Sequence, residues 1–572
     1  MMVHEQTADS TAWIRKIDPP LTGPAQRAPL ADGAARTGAL AGLRFAVKDN
    51  IDVAGVPTTA ACPAFAYEAG AHAQVVQRLL DAGAELVGKT NLDQFACGLN
   101  GTRSPYGAVP NSFDPEHVCG GSSSGSAWTV ATGAVDFSLG TDTAGSGRVP
   151  AGLNNIVGLK PTKGLVSTRG VVPAAQSVDC VSIFARTVDV AVRVLQVAMG
   201  PDAGDPYSRE LALRTAPLPA RPRVGIPDRL DFFGDAQAEA AFARSLAQLE
   251  ALGAQLVPID YAPLAEAAAL LYESAMVAER YAAVRGFFDA HEEEVIEPVR
   301  SILARGRTYS AADLVDAQTR LRALGQRVAP MWQRIDVLAV PTAPASYTIA
   351  QMQADPIALN QNLGAYTNFV NLLDYAAISV PTCLRADGLP FGITLVGPCA
   401  SDFPLAELGQ RIHHASGLTL GATGEPLPPP ATWPRVQPVA MVQVAVVGAH
   451  LSGMPLNGQL TERGAVLLRE TLTAPAYRLY ALPGTVPPKP GMVRVASSGA
   501  SLIVEVWEMP ATGYGSFVAG IPAPLGIGTI TLADGSSVQG FVCESLAIDG
   551  AEDITAHGGW RRYMASRQAL IA

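Results

Sequence analysis

The sequence predicts an α/β protein that carries a second, smaller α+β module at its C-terminal end, and three observations lead there. From Leu43 onward, brief apolar runs alternate with glycine turns, the pattern of strands and helices taken in turn. Residues 236–335 are rich in Ala, Leu, Glu and Arg and poor in glycine, which reads as a helical insertion between strands. Five prolines fall within the nine residues 426–434, a composition that favours an extended, semi-rigid connector. A chain of 572 residues also exceeds what one hydrophobic core usually organises.

The elements follow in order. Residues 1 to about 40 are polar and alanine-rich, with Pro19-Pro20 interrupting them, and read as a short helix and an arm. Ala73 to Ala82 has the spacing of an amphipathic helix, and Ala84 to Gly88 reads as the strand after it. In the insertion, Ala236–Leu252 and Ala311–Val328 are the clearest helices. Ile335–Thr342 and Ala377–Pro381 then resume as buried strands. The division expected is 1–424 for the large domain, 425–440 for the connector and 441–572 for the small module, with a hairpin turn at Ala533-Asp534-Gly535-Ser536.

Composition narrows the function. Hydrophobic residues make up 48% and charged residues 16%, enough for a large buried interior. The net charge is −10 and no basic tract is present, which argues against a nucleic-acid partner. No apolar run of about 18 residues exists, which argues against a membrane span. Met1 to Lys16 lacks the apolar stretch of a secretory signal. Cys62, Cys97, Cys119, Cys180, Cys383, Cys399 and Cys543 form no CxxC pair and read as reduced thiols of a cytoplasmic protein. The histidines form no HExxH or Cys/His ladder, and His413-His414 reads as a surface helix end. Neither a metal nor a cofactor is expected.

The chemistry concentrates in two glycine/serine loops and one lysine. Gly140–Pro150 (GTDTAGSGRVP) contains Ser146, Gly120–Ser126 (GGSSSGS) contains Ser122, and Lys48 lies upstream in Phe45–Asn50. A serine hydroxyl is a weak nucleophile until a base takes its proton, and the oxyanion it creates needs donors aimed at it. Small residues in Thr143-Ala144-Gly145-Ser146 let successive N–H groups reach one oxygen, and Pro150 suits the first turn of a following helix. A bridging serine can pass a proton to a lysine only if that lysine is neutral, and burial favours the neutral form. Taken alone, one such loop reads first as an ordinary turn or a phosphate cradle. Neither GxxxxGK[ST] nor GxSxG accounts for Ser146.

These three segments, together with Gly158-Leu159-Lys160-Pro161-Thr162, Asn371-Leu372 and Ser379-Val380-Pro381, resemble the amidase signature family over roughly residues 40–415. The resemblance implies a mixed β-sheet core flanked by helices. It also implies Ser146 as nucleophile, Ser122 as a relay serine beside a cis peptide bond, and Lys48 as base. The oxyanion donors would be the N–H groups of Thr143, Ala144, Gly145 and Ser146, with Asp142 and Arg148 supporting the loop.

The substrate is read from the insertion. On one continuous helix, Tyr272 and Arg280 would lie about 12 Å apart along the axis, and Arg280 reads first as solvated or paired with a glutamate. This segment, Gly101–Gly107 (GTRSPYG) and the C-terminal module resemble the allophanate hydrolase subfamily. That resemblance implies Tyr272 and Arg280 as substrate-binding residues for a small anionic amide, with ammonia, N-carboxycarbamate and ultimately carbon dioxide as products, in urea or cyanuric-acid degradation. The other readings are a broader amidase, a non-catalytic scaffold and an amidotransferase subunit. For the module, the resemblance implies a γ-glutamyl cyclotransferase-like fold, with His450 as a candidate functional residue in decarboxylation or assembly. A homodimer is the expected assembly.

Overall fold

In the computed structural model, the described residues are 8–23, 38–214, 216–433 and 441–569. The chain divides into two compact units, one of Met1–Glu210 with Arg214–Pro434 and one of Leu211–Leu213 with Arg435–Ala572. Most of the expected N-terminal arm, and residues 434–440 of the expected connector, lie outside the described residues.

The first unit is built on a mixed sheet whose strands are β1 (Trp13–Leu21), β2 (Arg44–Lys48), β3 (Glu85–Thr90), β4 (Phe137–Asp142), β5 (Val157–Lys160), β6 (Cys180–Ala185), β7 (Arg223–Pro227), β8 (Gln255–Ile259), β9 (Val337–Pro341), β10 (Ala376–Leu384) and β11 (Pro390–Gly397). Their spatial order is β1-β3-β2-β4-β6-β5-β10-β11-β9-β7-β8. β2 runs parallel to both β3 and β4, and β7 runs parallel to β8 and β9, while the other pairs are antiparallel. β4, β6 and β9 are buried along their whole length, so they show no alternation of buried and exposed positions.

Two expectations change. Pro19-Pro20 does not break an arm: it lies within β1, which forms the sheet edge, where a missing N–H is tolerated. Nor is 236–335 purely helical, because Gln255–Ile259 pairs in parallel with β7 as the opposite edge strand.

The helices obey their patterns more closely. Gln74–Asp81 buries Val75, Val76, Leu79 and Leu80 as one stripe, with Ala73 and Ala82 as its flanking caps. Ala236–Ala251 and Ala311–Val328 form as read, the latter opened by a reciprocal capping box of Ser310 and Asp313. Asp402–Ala415 packs on β10 and buries His413, which is 1% exposed. The surface reading of His413-His414 therefore fails for His413, and burial lowers its pKa to about 4.

The second unit has a five-stranded sheet in the order Val466–Leu472, Ile503–Pro510, Met441–Val446, Ser537–Cys543, Leu525–Thr531. Val444, Val446, Val504, Val506 and Trp507 supply much of its core. The hairpin turn forms at 533–536, where Leu532 N–H donates to the Ser536 carbonyl at 2.8 Å and Gly535 takes φ 83°. Among the described residues, no helix is long and apolar enough to cross a membrane.

Candidate active site

β2 and β4 run side by side and deliver Lys48 and Thr141 to the same buried point. Lys48 Nζ donates to Ser122 Oγ at 2.7 Å and to Thr141 Oγ1 at 2.8 Å. Asn50 Nδ2 adds a longer contact to the same threonine oxygen at 3.4 Å and holds the Val172 carbonyl at 3.1 Å. Lys48 is fully buried, and that desolvation lowers its pKa to about 7, against the pull of Asp93, Asp179 and Asp142, with Arg280 adding to the decrease. A substantial neutral fraction at neutral pH is what a proton acceptor requires.

Ser122 lies just before the helix Ser124–Ala131, and the Gly121–Ser122 peptide is cis. Its carbonyl accepts Asp93 N–H at 3.0 Å, while the Asp93 carboxylate takes the N–H groups of Asn100, Gly101 and Arg103. A Cβ at position 121 would collide with that carboxylate and with the Asn100 and Gly101 nitrogens, so only glycine fits beside the serine.

Ser146 sits in the turn between β4 and the five-residue helix Val149–Leu153, where Pro150 occupies the first turn. The turn is braced from below. Arg148 and Asp142, both fully buried, form a bidentate pair at 2.9 and 3.0 Å, and Arg148 also reaches the Thr367 carbonyl and Asn371 Oδ1. Asn371 returns its amide to the Asp142 and Val178 carbonyls. Thr143 Oγ1 donates to Asp179 at 2.5 Å, and that carboxylate also holds the Ala174 and Ala175 N–H groups. A Cβ on Gly145 would run into the Thr367 side chain. Among the described residues, no acceptor takes the N–H groups of Thr143, Ala144, Gly145 or Ser146, which leaves them available to an oxyanion. Ser146 Oγ itself donates to the Gly98 carbonyl at 3.4 Å.

The Tyr272–Arg280 segment is not one helix. Ala262–Glu273 ends at Ser274, whose hydroxyl caps a single 3-10 turn before Ala278–Ala290 begins. That break turns Arg280 back, so its Nη2 meets Tyr272 Oη at 2.9 Å with the guanidinium 4.9 Å from the ring centre. Arg280 is 2% exposed, not solvated, and the adjacent Glu279 bonds Ser177 instead of pairing with it. Its Nη1 reaches the Ala96 carbonyl at 3.5 Å, and its Nε has no partner among the described residues. A buried cation with an unspent donor suits an anionic group.

Sequence reasoning does not single out Asp93, Gly98, Thr141 or Asp179. Thr141 lies inside the serine-loop motif and is legible there, whereas the contacts of Asp93 with Ser122, of Gly98 with Ser146 and of Asp179 with Thr143 exist only once distant segments meet.

In the second unit, His450 stacks on Phe541 at 4.9 Å and bonds Gln459 at 2.9 Å through Nε2. It lines a cavity of about 260 Å³ with Gln459, Lys489 and Phe541. Burial lowers its pKa, Gln459 opposes that shift, and Lys489 adds to it.

The family profile described as Amidase matches residues 22–405. The chain belongs to the amidase family. It is an amidase signature enzyme, and a second profile, the allophanate hydrolase C-terminal domain, matches residues 442–565. The chain is similar to the urea amidolyase of Saccharomyces cerevisiae, with 44% identity over 92% of this chain and 29% of that protein. The urea amidolyase of Lachancea kluyveri is 45% identical, again over 92% of this chain and 30% of that protein. The chain thus spans about three tenths of these relatives. The structure of Kluyveromyces lactis allophanate hydrolase is similar at 40% identity and TM-score 0.72, covering 98% of this chain and 94% of that one. The amidase part alone is similar to a glutamyl-tRNA(Gln) amidotransferase subunit from Synechococcus, 36% identical over 68% of this chain and 86% of that protein.

Proposed function

We propose that this chain hydrolyses allophanate through an acyl-enzyme on Ser146. The observation that carries the reading is the 2.7 Å bond from a buried Lys48, with its pKa near 7, to Ser122 Oγ. Neutral Lys48 accepts the Ser122 proton as Ser122 takes the Ser146 proton, and Ser146 Oγ attacks the terminal amide carbonyl. The N–H groups of Thr143, Ala144, Gly145 and Ser146 receive the oxyanion. Collapse of the tetrahedral intermediate breaks the C–N bond, and the relay returns a proton to the departing ammonia. Water then attacks the acyl-enzyme by the same route and releases N-carboxycarbamate.

Arg280 and Tyr272 hold the substrate carboxylate at the far end, the guanidinium supplying charge and the phenol a hydrogen bond. The likeness to the Kluyveromyces lactis allophanate hydrolase over nearly its whole length supports this substrate over a general amide. In the second unit, His450 and its cavity are our candidates for decarboxylating the first product. The seven unpaired cysteines support a cytoplasmic setting. The assembly is a homodimer, and its role is release of nitrogen derived from urea or cyanuric acid.

A steady-state comparison of allophanate, malonamate, biuret and glutamine tests the reading. Allophanate should have the highest kcat/KM, with malonamate next because it keeps the carboxylate. Glutamine or biuret outpacing allophanate would point to a different amidase.

A further inference from the structure

Two buried arginines grip neighbouring carbonyls of one short segment beside the nucleophile. Residues 94–96 form a single 3-10 turn in which Phe95 and Ala96 both stand in the left-handed region, at φ 51° and 53°. Non-glycine residues enter that region sparingly, so two in succession require an external hold. The next three carbonyls each take a different donor. Arg280 Nη1 reaches Ala96 at 3.5 Å, Arg103 Nη1 reaches Cys97 at 2.9 Å, and Ser146 Oγ reaches Gly98 at 3.4 Å. Where the first two carbonyls are fixed, the third has little freedom.

Arg103 makes the firmer hold. It is 3% exposed, its Nη2 bonds the Pro356 carbonyl, and its own N–H is tied to Asp93 at 2.9 Å. Among the described residues no carboxylate pairs with its guanidinium, whose charge falls on main-chain carbonyls instead. A planar guanidinium fixes two such acceptors at once, which a lysine ammonium does less rigidly.

We infer that Arg103 is a positioning residue for the nucleophile, holding the 96–98 segment so that the Gly98 carbonyl orients the Ser146 hydroxyl. The inference rests on the reading of Ser146 as nucleophile and Arg280 as carboxylate ligand. When substrate draws Arg280 away from Ala96, Arg103 keeps the segment in place. Among the described residues the Nε of each arginine has no partner. Both terminal nitrogens of Arg103 are held by main-chain carbonyls, whereas Arg280 has one on the Tyr272 phenol and the other only at 3.5 Å from the Ala96 carbonyl, which sets Arg103 apart as a holder of structure.

The test measures labelling of Ser146 by a small fluorophosphonate, together with allophanate kcat and KM, in the wild type, Arg103→Lys and Arg103→Met. Arg103→Met should slow labelling and kcat together, by about tenfold or more, with KM within about threefold, because small misplacements of reacting groups are costly. Arg103→Lys should recover part of both rates. If Arg103→Met does not fold, slower labelling of folded Arg103→Lys still carries the inference. Labelling at the wild-type rate in folded variants overturns it, and so does a rise in KM alone, which would make Arg103 a substrate ligand. Because labelling needs no allophanate, failure of the substrate reading leaves this outcome distinct.

Discussion

Lys48 and Lys89 lie in the last two positions of neighbouring strands, are equally buried, and do opposite work. In the parallel register Val47 lies across from Lys89 and Lys48 across from Thr90, and both lysines have no exposed surface. Lys89 Nζ meets the Asp49 carboxylate at 3.0 Å and adds bonds to Thr58 and the Pro57 carbonyl. Among the described residues, Lys48 Nζ meets only the hydroxyls of Ser122 and Thr141. Burial pushes both lysines toward the neutral form, but at Lys89 the adjacent carboxylate is the main opponent, whereas around Lys48 three carboxylates act from beyond ion-pair range. Burial alone therefore does not make a base. The immediate partner decides whether a buried lysine braces the fold or moves a proton.

Substituting each lysine breaks the comparison most strongly. Lys48→Met should lower kcat/KM for ammonia release by about 10³-fold or more while the protein stays folded, since it removes the base that activates a covalent nucleophile. Lys89→Met strands the Asp49 carboxylate in the interior and should cost about 3–5 kcal/mol of stability, read as a fall in the denaturant midpoint. Folded Lys89→Met should keep most of its activity. If the two variants exchange these phenotypes, the assignment of roles is wrong.

Arg280→Ala gives a smaller and more selective effect. Losing a charged hydrogen bond of about 1.5–3 kcal/mol should weaken allophanate and malonamate by roughly 10- to 150-fold in kcat/KM and leave neutral amides nearly unchanged. An equal loss on both classes would deny Arg280 its carboxylate.

The lowered pKa of Lys48 also sets a sign for stability. The unfolded lysine binds its proton up to about 10.5 and the folded one only up to about 7, so the unfolded state carries more protons between those values. This group's penalty on the fold is full below about 7 and fades as pH rises toward 10.5. Lys48→Met should flatten that part of the stability profile, measured by denaturant titration at several pH values. An unchanged slope would mean that Lys48 is not desolvated.

What the sequence made legible follows the range of the interactions. Ser146, Ser122 and Lys48 lie in short motifs whose small residues have local reasons to be there, and the helices Gln74–Asp81 and Ala311–Val328 announce themselves through spacing and capping. Pro19-Pro20 misled because proline is excluded from central strands but not from an edge. Arg280 misled because periodicity says nothing of the capped break at Ser274 that buries it. The Asp93 N–H link to Ser122 and the Asp179 link to Thr143 join segments far apart in the chain, and no local pattern announces such a meeting.

The pH dependence of Ser146 labelling by a fluorophosphonate tests the proton relay most directly. In the wild type the rate should rise with pH through a single ionisation near 7, as Lys48 loses its proton. In Lys48→Met it should be far slower and lack that step. A profile that keeps its midpoint in Lys48→Met, or that is flat in the wild type, would contradict the account of Lys48 as the base.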